Sequence, residues 1–131
     1  PHPAYGAFLK HRAELPESYL HFGLHYGRLE DLEAAVGGLQ REMAADPEFG
    51  TRIQSLQIMK ARGDEEIDER MAASEIFSRT DQLAYGKFGA QVHIRTDLFA
   101  TGLHMLGSVV ELDFVFTGPG RESNTFNAPF G

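Results

Sequence analysis

Apolar residues recur along this chain with two different spacings, and each change of spacing marks the end of an element. In Ala4–Leu15, Tyr5, Phe8, Leu9 and Arg12 share one helical face and Pro16 stops the run, so a leading helix is predicted over 4–15. From Ser18 to Gly27 the period is two: Leu20, Phe22, Leu24 and Tyr26 alternate with Tyr19, His21, Gly23 and His25, which predicts a strand. Leu29, Leu32, Val36, Leu39 and Met43 then return at helical spacing, with Glu30, Asp31, Glu33 and Arg41 on other faces, and Asp46–Gly50 is expected to end this helix. Thr51–Gly63 alternates again, with Leu56 and Ile58 opposed to Ile53, Ser55, Gln57 and Met59. Asp64–Phe77 opens with an N-cap residue and acids in its first turn, which predicts a helix; its apolar stripe is thin and suits a surface position. Ala90–Phe99 and Ser108–Phe116 alternate strongly and predict two strands joined by a glycine-containing loop. Beyond Thr117 the chain is rich in Gly, Pro, Asn and Ser and reads as an arm over 118–131, with Phe126 and Phe130 expected to dock.

The predicted order is α, β, α, β, α, β, β. It implies a single α+β domain over 1–131, with a module core at 18–117 built on one four-stranded sheet covered by helices on one face. Because alternate strand residues point to opposite faces, parity sorts them into two sets. One set holds Leu20, Phe22, Leu24, Tyr26, Leu56, Ile58, Val92, Ile94, Leu98, Val110, Leu112, Phe114 and Phe116, and is the face for the helices to cover. The other holds His21, His25, Ser55, Gln57, Gln91, His93, Arg95, Asp97, Val109, Glu111 and Asp113, with apolar residues at its edges. Histidines and acids among scattered apolar neighbours suit the floor of a polar cavity. His21 and His25 lie on this face but about 13 Å apart along one strand, so they cannot chelate one ion together.

Composition narrows the chemistry. Twelve basic against 19 acidic residues leave a net charge of −7, and no run of Lys or Arg exceeds two residues, so neither nucleic acid nor an anionic membrane is the expected partner. Cysteine is absent, which excludes disulfides, thiolate nucleophiles and Cys-ligated zinc; any metal is expected to be held by His, Asp or Glu. With no long apolar run and no leader-like start, a cytoplasmic protein is the default, and the opening Pro1-His2-Pro3 without an initiator Met leaves room for residues upstream. His2 and His11 are read as uninvolved, and His104 as a surface residue of the loop.

The stretch HFGLHYGRLEDLEAAVGGL, residues 21–39, resembles the opening of a vicinal oxygen chelate (glyoxalase/bleomycin-resistance/extradiol dioxygenase) module, where a first-strand histidine precedes the helix. LGSVVELDF, residues 106–114, resembles its final strand. The resemblance implies a strand–helix–three-strand module whose curled sheet makes a concave pocket. It places the family's metal ligands on His21 and Glu111, with His93 or a histidine of a partner subunit completing a triad. It implies a divalent metal (Fe, Mn, Ni or Zn) and a small oxygenated substrate, handled by a dioxygenase, lyase or isomerase. Arg95 would hold an anionic substrate group, and His25 or Asp113 would act as acid or base. Residues 61–88 interrupt a strand connection that is usually short. Only one module is present, so the resemblance implies a second from a homodimer partner or from upstream sequence. Two other readings stand beside it: a metal-free protein that binds or sequesters a small molecule, with Phe99, Phe126 and Phe130 as apolar walls, and a structural module whose polar face is a homodimer interface.

Overall fold

The stripe of Leu29, Leu32 and Val36 is buried, and it organises the molecule around the helix that carries it, α2 (Leu29–Ala45). The computed structural model describes residues 2–14, 21–97 and 108–121, with side chains described at all of these except 9, 12, 13, 21, 22 and 108. Within them α1 (Pro3–Glu14) leads, followed by β1 (His21–His25), α2, α3 (Pro47–Arg52), β2 (Ile53–Met59), α4 (Glu65–Ala72), a 3₁₀ turn at Phe77–Arg79, β3 (Gly89–Thr96) and β4 (Ser108–Val115). Leu20, Leu98, Phe99, His104, Phe126 and Phe130 lie outside the described residues. No helix of the described residues is long and apolar enough to cross a membrane.

The four strands form one mixed sheet in the order β1-β4-β3-β2, with β1 parallel to β4 and the other two pairs antiparallel. Val92, Ile94, Val110 and Leu112 from its apolar face join Leu29, Leu32 and Val36 of α2 in a single core. This is a small α+β domain, a four-stranded mixed sheet with flanking helices. Leu24 departs from expectation: it belongs to the apolar face by parity yet is 51% exposed, because it sits on the edge strand β1 while α2 packs over the neighbouring β4.

Three local readings are corrected. Asp46-Pro47 does not simply end α2; it starts α3, because the Asp46 carboxylate accepts the N–H groups of Glu48 and Phe49 and Pro47 fits the first helical turn. Ile53, assigned by parity to the polar face, is in the core. The pairing with β3 is irregular between Ile53 and Ser55, so Ile53 stands opposite Thr96, and one extra residue is enough to turn a side chain to the other face. The helix expected at Asp64–Phe77 is not a surface element in one piece. Asp64 does cap it, accepting the N–H of Ile67 at 2.9 Å, and its exposed side carries Glu65, Glu66, Asp68 and Glu69. But Ile67 and Met71 are fully buried, and the helix stops at Ala72. The Ser74 hydroxyl then accepts the N–H groups of Ile76 and Phe77 and turns the chain so that Phe77 enters the core.

Candidate functional site

Strand pairing arranges the polar face into rows that run across the sheet. One row reads Gly23, Glu111, His93, Gln57; the next toward one end reads His25, Asp113, Gln91, Met59; the next toward the other reads His21, Val109, Arg95, Ser55. Every residue expected to serve the site (His21, His25, His93, Arg95, Glu111 and Asp113) thus falls on one face and within three adjacent rows.

Glu111 and His93 lie at the centre, on neighbouring strands, and both are buried, with 7% and 5% exposure. Glu111 Oε2 is 3.7 Å from His93 Nε2, and Glu111 Oε1 accepts a hydrogen bond from the Gln91 amide at 2.5 Å. Gln91 is itself held from the other side, its Oε1 accepting the Tyr85 N–H at 3.3 Å. Its two-ended hold orients the carboxylate. A carboxylate removed from water demands such partners, since desolvation of an ionised group without them costs several kcal/mol. Sequence reading had placed Gln91 on this face without a role; the signal was an amide two residues before His93 on the same strand face, where pairing sets it beside Asp113 and one row from Glu111.

A second pair lies one row away. His25 Nδ1 is 2.9 Å from Asp113 Oδ1, with the histidine side chain 61% exposed and the carboxylate 14%. The backbone reinforces this corner, as the Tyr26 N–H donates to the Asp113 carbonyl. Gly23 separates the two pairs on β1: a Cβ there would stand 3.4 Å from Asp113 Oδ2 and 3.8 Å from the Glu111 carbonyl oxygen, so any larger side chain would fill the space between the acids. Arg95, half-buried, stands opposite Val109 and Ser55 on the same face.

The central pair can be tested against a metal on its own geometry. Bonds of about 2.0–2.2 Å to imidazole nitrogen and carboxylate oxygen allow two donors of one coordination sphere to stand up to about 4 Å apart. The 3.7 Å separation of His93 Nε2 and Glu111 Oε2 meets that limit, and the Gln91 bond to the other oxygen would favour a single metal–oxygen contact. No group of three such donors converges among the described residues. His21, whose side chain is outside the described set, stands on β1 one row from Glu111, a diagonal neighbour.

No protein-family model, no curated protein and no solved structure matches the chain.

Proposed function

We propose that this chain is a metal-dependent enzyme of the vicinal oxygen chelate type acting on a small oxygenated substrate, with His93, Glu111 and His21 as the metal ligands. The observation that carries the reading is the buried Glu111–His93 pair at the middle of a sheet face, held by Gln91 at a donor separation that one divalent ion can span. The order strand, helix, then three strands around that face, with α4 inserted between the second and third, adds support. When bound, the metal would supply Lewis-acid polarisation of two adjacent substrate oxygens. The chain's own groups do the rest. Asp113 fixes His25 through Nδ1 and leaves Nε2 as the atom that exchanges a proton with substrate at the exposed rim. Arg95, one row from Glu111, orients an anionic substituent. A homodimer partner would contribute the second module and close the pocket.

A metal-free binding protein is the second reading, and the Gln91–Glu111 hydrogen bond favours it, since that amide already satisfies one carboxylate oxygen without an ion. Elemental mass spectrometry separates the two. Protein purified without chelator or His-tag is expected to carry near-stoichiometric Fe, Mn, Ni or Zn, lost in Glu111→Ala, His93→Ala and His21→Ala. Absence of metal after anaerobic reconstitution with Fe(II) would leave the binding protein as the reading.

A further inference from the structure

The chain past β2 forms a groove on the opposite side of the molecule. The Lys60 N–H donates to the Gln82 carbonyl at 2.9 Å, the Ala84 N–H to the Lys60 carbonyl at 3.0 Å, and the Arg62 N–H to the Lys87 carbonyl at 2.9 Å, so residues 60–62 run as a short extended wall tied to 82–87. Facing it, α4 contributes Asp68, Met71 and Ala72, and Ser78 and Leu83 complete the lining of a space of about 490 Å³. Met71 belongs to the core under the apolar sheet face, so this groove lies on the helix side, away from Glu111 and His93. Its volume is in the range of small-molecule sites, about 300–1,000 Å³.

Its lining brings two cations together with one acid. In a chain of net charge −7, Lys10 is matched with Glu14, Arg28 with Glu30, Arg52 with Asp97, Arg70 with Glu30 and Glu33, and Arg121 with Asp64 and Glu66, while Arg41, Arg79 and Lys87, outside the groove's lining, have no such ion pair among the described residues. Lys60 and Arg62, two residues apart on one wall, have no carboxylate partner within ion-pair distance among the described residues. Beside them lie a buried apolar floor of Ala61 and Met71, an exposed apolar wall at Leu83 and the exposed Ser78. We infer that this groove binds a small organic monoanion with an apolar body, an aryl or branched carboxylate, whose carboxylate meets Lys60 and Arg62 and whose body covers Met71, Ala72 and Leu83. Asp68 on the facing wall admits one negative charge and repels a dianion such as a phosphate monoester.

The test is an ¹⁵N NMR titration of the full chain with 1-naphthoate and with the neutral 1-naphthamide. Amide shifts are expected at Lys60–Arg62, Asp68–Ala72, Ser78 and Leu83, with the amide at least about tenfold weaker. Lys60→Gln with Arg62→Gln is expected to weaken naphthoate by about tenfold or more. Asp68→Asn, which leaves both cations in place, is expected to tighten it, and added salt to loosen it. Shifts confined to the polar sheet face, no shifts at millimolar naphthoate, equal binding of the amide, or indifference to Asp68→Asn and to salt would each overturn the assignment.

Discussion

At the scale of single residues, the site rests on Gln91 and Gly23 as much as on the groups that carry its chemistry. Gln91 is buried and spends its amide on Glu111 and its carbonyl on the Tyr85 N–H. Gln91→Leu keeps the volume and removes the donor to a buried carboxylate, so it is expected to destabilise the fold by about 1–3 kcal/mol in urea denaturation. If a metal is bound, its affinity is expected to fall by about tenfold or more in a competition titration. Gly23 acts by having no side chain. Gly23→Val would insert two methyl groups beside Asp113 and Glu111 while leaving the ladder of β1 and β4 intact. The expected result is a native far-UV spectrum with metal or ligand uptake lost; undiminished uptake would show that the space between the two acids is not part of the site. Gly63 answers to a different constraint: its φ of +137° and a hypothetical Cβ 2.8 Å from Phe88 Cε1 exclude other side chains, and Gly63→Ala is expected to cost about 1–3 kcal/mol.

At the scale of elements, the decisive features are the ends. Asp46 closes α2 and opens α3 in one residue, and Asp46→Ala is expected to lower stability by about 1 kcal/mol through loss of the two N–H contacts, measurable as a shift in the urea midpoint at constant slope. The irregularity between Ile53 and Ser55 does comparable work in β2. It turns Ile53 into the core and still leaves Ser55, Gln57 and Met59 aligned with Arg95, His93 and Gln91 on the polar face. Thr96 secures that corner by donating its hydroxyl to the Arg52 carbonyl at 2.9 Å, and the Arg52 side chain reaches Asp97.

Across the whole molecule, ion pairs join segments far apart in sequence. Arg70 of α4 grips Glu33 and Glu30 of α2, and Arg121, beyond β4, grips Asp64 and Glu66 at the start of α4. The Arg121 hydrogen bond, followed by the Ile67 N–H, holds the Asp64 carboxyl below its ordinary range. Its contribution to stability is therefore fully present above that ordinary range and is lost as pH falls through the depressed folded value. Wild type is expected to lose more thermal stability on acidification than Arg121→Ala, in which Asp64 keeps only its backbone contact. Parallel pH–melting curves for the two proteins would show that the clamp contributes nothing. Phe77 sets the larger scale: fully buried, it is expected to cost about 3–5 kcal/mol on replacement by Ala, a large part of the stability of a domain this size.

Local periodicity alone determined the order of helices and strands apart from the short α3, and that one sheet face is apolar and the other carries His25, His93, Arg95, Glu111 and Asp113, because pleating and helical repeat are properties of the backbone itself. It also set the N-cap at Asp64, where an acid precedes the first helical turn and bonds to it. What it could not decide depended on contacts between distant segments. Strand order β1-β4-β3-β2 made Glu111 the neighbour of both Gly23 and His93, and put His25 beside Asp113. The inward turn of Ile53 needed a mismatch with β3 that no pattern in β2 records. The burial of Ile67, Met71 and Phe77 came from packing against a sheet assembled from strands on both sides of them in the chain. Periodicity chooses the face of a residue; only the register of its neighbours chooses its partner.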